Sequence, residues 1–163
     1  MTDVTSSTRV IGIISDTHGL VRPDVHTALA GVEMILHAGD VGGDEVLDEL
    51  ELIAPVRAVF GNTDPPGQSR LATSLELTVG GVSIHVSHGH ELGSPAPAKL
   101  LDAYAADVIV FGHTHRQLVA RVKGRLVLNP GAAGARRFDL MPSVARLTIS
   151  DGRAEAELMA LLA

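Results

Sequence analysis

Apolar residues along this chain come in short runs, and most runs stop at a glycine followed by a residue that can bind or move a proton. The run Arg9–Ile14 predicts a strand buried on both faces, leading into Ser15-Asp16-Thr17-His18-Gly19. Pro23 and Asp24 open a helix through about Ala30, with Val25, Ala28, Leu29 and Val32 at helical spacing. Met34–Ala38 predicts a second strand, ending at Gly39-Asp40. Asp44 is placed to cap the next helix, where Val46, Leu47, Leu50 and Ile53 recur at the helical period before Pro55 stops it. Val56–Phe60 is the third strand and runs into Gly61-Asn62-Thr63-Asp64, then the turn formers Pro65-Pro66-Gly67.

Beyond this point the pattern changes. Leu75–Val79 and Val82–Val86 flank Gly80-Gly81, the signature of a hairpin, and the second strand runs into Ser87-His88-Gly89-His90. A helix over Pro97–Ala103 leads to Val108–Phe111, four apolar residues too few for a helix, which end at Gly112-His113-Thr114-His115. Two more hairpins turn at Lys123-Gly124 and Asp151-Gly152, with Asn129-Pro130-Gly131 between them. The expected order is a βαβ half followed by an antiparallel half, with polar residues gathered at the carboxyl ends of the strands. No repeat or linker divides the 163 residues, so one domain is expected over 1–163, with polar residues 1–8 as a loosely ordered tail.

Composition narrows the chemistry. With 45% hydrophobic residues but one Tyr, three Phe and no Trp, the core must be aliphatic, and the absence of Cys excludes disulfides and thiolate metal sites. A net charge of −6 argues against a stable nucleic-acid complex, which needs clustered cations. No apolar run approaches the roughly 20 residues of a membrane span. Residues 1–8 lack the basic start and apolar centre of a secretory signal, so a cytoplasmic protein without a membrane partner is expected.

Asp16, His18, Asp40, Asn62, His88, His113 and His115 all fall at, or within four residues after, a predicted strand end, mostly beside a glycine. Any one of them is an ordinary loop residue; five separate coincidences at strand ends are not. In that order, Asp-x-His, Gly-Asp, Gly-Asn, His and Gly-His-x-His resemble the calcineurin-like metallophosphoesterases, and the short Gly-Asn-Thr-Asp variant resembles their small prokaryotic phosphodiesterase branch. The resemblance implies an α/β (α+β) fold, a four-layer αββα sandwich of two mixed sheets flanked by helices. It implies two divalent ions, one on Asp16, His18, Asp40 and His115, the other on Asp40, Asn62, His88 and His113, with Asp40 bridging. Carboxylate, amide oxygen and imidazole suit manganese, iron, zinc or nickel, and manganese is expected.

The activity implied is hydrolysis of a small phosphodiester or nucleotide by hydroxide held between the ions. A phosphomonoesterase or nuclease on the same site, or a low-activity interaction scaffold like the small retromer subunit, is the alternative. Thr63 stands where many family members carry a histidine that protonates the leaving oxygen, and threonine cannot supply that proton near neutral pH. His90, two residues beyond His88, is the candidate replacement, either that or a solvent-facing loop histidine, and Asp40, Asn62 and His90 are the expected catalytic residues. Good leaving groups should therefore be preferred. Asp64 is expected either to orient a metal ligand or to cap the turn. His26, His37 and His85 need no catalytic role, although His37 is close enough to Asp40 to support it. Asn129-Pro130-Gly131 is either a site-adjacent segment or a plain turn. Arg136 and Arg137 are either a hold for a second phosphate substituent or an exposed basic pair. The loops 65–70 and 91–98 are expected to shape substrate choice. Relatives that self-associate make a homo-oligomer plausible.

Overall fold

Aliphatic residues that face both ways along a strand need cover on both sides, and that requirement organises the architecture. In the computed structural model, which describes residues 8–137 and 139–163, β1 (Arg9–Ile14) pairs in parallel with β2 (Met34–His37), and β2 in parallel with β3 (Val56–Val59). The short helices α1 (Asp24–Ala28) and α2 (Asp44–Leu50) make the two crossovers, as predicted. Apart from Thr8, the expected tail over residues 1–8 lies outside the described residues. A two-residue strand, β4 (Leu71–Ala72), extends this sheet in parallel beyond β3.

The second sheet runs in the order β5 (Leu75–Val79), β6 (Val82–Val86), β7 (Val108–Val110), β9 (Arg125–Asn129), β8 (Leu118–Val122). The hairpins at Gly80-Gly81 and Lys123-Gly124 form as expected. The last hairpin, β10 (Ser143–Ser150) with β11 (Arg153–Ala160), does not join this sheet; β10 returns to pair antiparallel with β1. The expected antiparallel half is corrected here, because β6, β7 and β9 pair in parallel, with α3 (Pro97–Ala103) crossing between β6 and β7. A hairpin turn is written locally, whereas a helical crossover brings the next strand back in the same direction without leaving a turn signature.

Side chains alternate between layers. Ile11, Ile13, Leu36 and Val59 of the first sheet meet Ile84, Val108, Val110 and Leu128 of the second. Their neighbours Ile14 and Ile35 point the other way, into Leu29, Val46, Leu47 and Leu50 beside α1 and α2. On the far side, Ile109 and Val127 pack with Leu100 of α3. Helices, sheet, sheet and helix thus form the four-layer αββα sandwich, with each fully buried aliphatic contributing about 2 kcal/mol. One local expectation fails: Asp44 is the first residue inside α2, Gly43 occupies the cap position, and no side chain caps the helix. Among the described residues, no helix is long and apolar enough to cross a membrane.

Candidate metal centre

Parallel strands deliver their carboxyl ends to one edge, and at this edge the backbone is bent in an unusual way. Among the described residues, five of the seven non-glycine residues with positive φ are Asp16, His18, Asp40, His113 and His115, with values from 46° to 70°. The other two, Lys123 and Asp151, sit in hairpin turns. A left-handed backbone costs a residue with a side chain on the order of 1 kcal/mol or more. Five such residues at adjoining strand ends therefore mark a place where the fold holds side chains against their local preference.

Backbone hydrogen bonds supply that hold. Asp16 N–H donates to Gly39 O at 2.9 Å, His18 N–H to Asp40 O at 3.0 Å and Gly19 N–H to Val41 O at 2.9 Å, joining the loops after β1 and β2. Buried Asp64 ties in the loop after β3: its Oδ2 accepts from Val41 N–H at 3.1 Å and Gly61 N–H at 2.9 Å, its Oδ1 from Gly42 N–H at 3.0 Å. Asp64 thus orients the backbone carrying Asp40, rather than a ligand side chain. Two glycines are required by close approach, since a Cβ on Gly61 would strike Asp40 Oδ1 and one on Gly112 would strike Ser15 Oγ.

Each carboxylate is anchored through one oxygen and leaves the other toward the histidines. Asp16 Oδ2 accepts from Ser15 Oγ–H at 2.6 Å and from His113 N–H at 3.2 Å. Its Oδ1 has no hydrogen-bond partner among the described residues and lies 3.3 Å from His115 Nε2 and 3.8 Å from both His18 Nε2 and His88 Nε2. Asp40 Oδ1 accepts from Thr63 N–H at 2.9 Å, while Oδ2 lies 3.2 Å from His88 Nε2 and 3.6 Å from His18 Nε2. Burial alone would raise the Asp40 pKa, but the His88 imidazole 3.2 Å away and the hydrogen bond from Thr63 N–H outweigh it and hold the carboxyl well below its usual range. For His88, burial works against protonation, yet Asp40 and Asp16 raise its pKa above the ordinary value. His113 is lowered, by burial first and then by the neighbouring His88.

His88 donates Nδ1–H to Ala38 O at 2.8 Å, which leaves Nε2 aimed at the two carboxylates. That is how a protein orients a metal-binding imidazole. Among the described residues, His18 Nε2 and His88 Nε2, like Asp16 Oδ1, are buried without a hydrogen-bond partner. Buried polar atoms are rarely left so, and three of them converging here fit a divalent cation. Asp16, His18 and His115 form one such group, and Asp16, Asp40 and His88 the other. His113 packs its ring edge on His88, with centroids 5.2 Å apart. Asn62 is exposed on the turn after β3, brought to the cluster by its neighbours Gly61 and Thr63.

His90 begins a single 3₁₀ turn, His90–Leu92, and its side chain is half-buried. Its ring lies 5.3 Å from that of His88 and 6.3 Å from that of His113, and its Nδ1 is buried without a partner among the described residues. Asn129, the last residue of β9, is buried behind the site, donating through Nδ2 to Gly112 O and Thr114 Oγ1, both at 3.1 Å, so it holds the loop that carries His113 and His115. His26 pairs with Glu49, and His85 bonds Glu76 and Ser87; neither belongs to the cluster.

His37 is a supporting residue. Its Nδ1 accepts Gly39 N–H at 3.1 Å, and Nε2–H donates to Thr17 Oγ1 at 2.9 Å, whose hydroxyl passes on to Val41 O at 2.7 Å. Ser15 and Thr17, which sequence patterns do not single out, complete this frame. Burial pushes the His37 pKa down to about 4. The unfolded chain takes up the proton near the ordinary value of about 6.5, so the stability contributed by keeping His37 neutral is complete above that pH and is lost as pH falls toward 4. Denaturant titrations of metal-free protein between these limits should show wild type losing about 3 kcal/mol more than His37→Gln, whose side chain does not titrate. Equal losses in the two proteins would contradict the assignment.

A model of the calcineurin-like phosphoesterase superfamily domain matches residues 10–152. A probable metallophosphoesterase of Methanothermobacter thermautotrophicus is 33% identical over 158 residues, covering 92% of this chain and 91% of that protein. A phosphodiesterase of Methanocaldococcus jannaschii is 29% identical over 139 residues, covering 74% of this chain and 82% of that one. Among solved structures, Vps29 of Entamoeba histolytica in complex with zinc superposes with a TM-score of 0.74 at 25% identity, covering 93% of this chain and 99% of that one.

Proposed function

This chain belongs to the calcineurin-like phosphoesterase superfamily, and we propose that it acts there as a two-metal phosphodiesterase on a small phosphodiester or nucleotide. The observation that carries this reading is the convergence of Asp16 Oδ1, His18 Nε2 and His88 Nε2, buried and unpartnered among the described residues, around the Asp40 carboxylate. Asp16, His18, Asp40 and His115 would hold one ion, and Asp40, Asn62, His88 and His113 the other. Oxygen and imidazole donors without thiolate favour manganese, iron, zinc or nickel, with manganese the first to test. Bound divalent ions supply Lewis-acid chemistry, acidifying water and drawing charge from phosphoryl oxygens.

The chain's own residues do the rest. Asp16 and Asp40 are fixed before any substrate arrives, each through one anchored oxygen, so no reorganisation is needed during reaction. His90, beside His88 and His113, is the proton donor to the departing oxygen, because Thr63 has no suitable proton and spends its backbone N–H on Asp40. The Methanocaldococcus jannaschii relative supports the choice of diester over monoester, and the zinc complex of Vps29 supports metal binding on this fold.

The test is hydrolysis of bis(4-nitrophenyl) phosphate and 4-nitrophenyl phosphate by manganese-loaded protein. The diester should be cleaved faster, and chelation should stop both reactions. Faster cleavage of the monoester would make the protein a phosphomonoesterase. Cleavage of neither, by protein shown to hold two ions, would favour an interaction scaffold.

A further inference from the structure

Arginine side chains in this protein are mostly tied down. Arg9 pairs with Glu33, Arg70 with Asp48 and Glu51, Arg153 with Glu155, and Arg22, Arg121, Arg125 and Arg146 donate to backbone carbonyls. Four are not: the guanidinium groups of Arg57, Arg116, Arg136 and Arg137 make none of the hydrogen bonds or ion pairs among the described residues. Arg57 lies on β3. The other three gather at one rim of the metal-ligand cluster.

Arg116 and Arg137 line a cleft of about 220 Å³ together with His113, Thr114, His115 and Leu140. On its other side Arg137, with Arg136, borders His115 again across a narrow gap beside Met141. No carboxylate lines either space, and Asp139, the acid in this segment, faces neither. In a chain of net charge −6, acids able to neutralise these cations are abundant elsewhere, yet none pairs with these three exposed guanidinium groups among the described residues, which leaves them open to an anion. The planar fork of arginine matches phosphate oxygens in geometry as well as charge. Three cations on an acidic surface are too few for a nucleic-acid track, which needs many neutralised phosphates.

We propose that Arg116, Arg136 and Arg137 form a subsite for a second phosphoryl group, so that the substrate is a small phosphate ester carrying a further phosphate beside the scissile one. This rests on reading the adjacent cluster as a phosphoester site. It excludes diesters that carry no charge beyond the scissile phosphate as the preferred substrates.

Two thymidine 5′-(4-nitrophenyl phosphate) esters, one bearing a 3′-phosphate and one with a free 3′-hydroxyl, put the subsite to the test with the same leaving group in both. Manganese-loaded wild type should favour the 3′-phosphorylated ester by about tenfold or more in kcat/KM, chiefly through KM, as expected for charge-assisted hydrogen bonds. In the triple variant Arg116→Ala, Arg136→Ala, Arg137→Ala the ratio should fall toward one, while Arg57→Ala should keep it. Calorimetry gives a second readout: thymidine 3′,5′-bisphosphate should bind wild type more tightly than thymidine 5′-monophosphate, and the triple variant should bind both alike. Equal kcat/KM for the two esters in wild type, or a preference that survives in the triple variant, overturns the subsite. If neither ester is cleaved but the calorimetric preference depends on the three arginines, the subsite stands and the hydrolase reading falls. If there is neither cleavage nor a binding preference, both fall.

Discussion

Replacing Asp40 by asparagine should lower kcat/KM for bis(4-nitrophenyl) phosphate by at least about 10³-fold, some 4 kcal/mol of transition-state stabilisation, with loss of bound metal measured in the same preparation. The change preserves shape, so the loss reports chemistry. Asp40 Oδ2 is within 3.6 Å of both His18 Nε2 and His88 Nε2, between the two proposed ion positions, and an amide there offers one neutral oxygen in place of two anionic ones. The Thr63 N–H that now donates to Oδ1 can still donate to the amide oxygen, so the turn after β3 has no reason to move. A contaminating phosphatase would be indifferent to the substitution. Full metal content together with full activity in Asp40→Asn would remove Asp40 from the bridging role and with it the proposed arrangement.

The strand ends are legible in the sequence because burial on two faces writes continuous aliphatic runs, closed by a glycine before Asp40, Asn62 and His113 and by a serine before Asp16 and His88. For that reason the order of residues alone locates Asp16, Asp40 and His113. What the pattern does not carry is direction and conformation. Nothing in Val82–Val86 and Val108–Val110 says that they pair in parallel; α3 decides it. Leu71–Ala72 is too short to have a period at all. The left-handed backbone at His18, His113 and His115 is invisible to such reading, since any residue other than glycine adopts positive φ only in a few per cent of cases. Local preference fails where the site is, as expected of strained functional loops.

Arg116 illustrates a different blindness. It follows His115 directly, yet only the tertiary structure shows that its guanidinium has no partner among the described residues and shares a cleft with Arg137. Counting charges along the chain gives a net value of −6 and hides a local cationic rim. Asn129 has two readings in the sequence, a turn or a site neighbour, and only the tertiary structure shows that it ends β9 and that its amide braces the loop of the last two histidines.

Asp64 is where the supporting frame should prove most sensitive. Asp64→Ala should destabilise the metal-free protein by about 3–5 kcal/mol, because three N–H groups, on Val41, Gly42 and Gly61, lose a charged acceptor and the Asp64 site is buried. Asp64→Asn should cost less, since one amide oxygen can replace Oδ2 for Val41 and Gly61, but its NH₂ would then confront the Gly42 N–H. The structural loss should reach the metal site through Asp40, whose φ of 54° persists only while its flanking loop is held. Metal affinity of Asp64→Asn, measured at a temperature where the variant is folded, should accordingly fall about 10–100-fold, the range typical for residues that orient ligands. Wild-type affinity in a folded Asp64→Asn protein would show that Asp40 keeps its left-handed backbone without help, and that Asp64 serves stability alone.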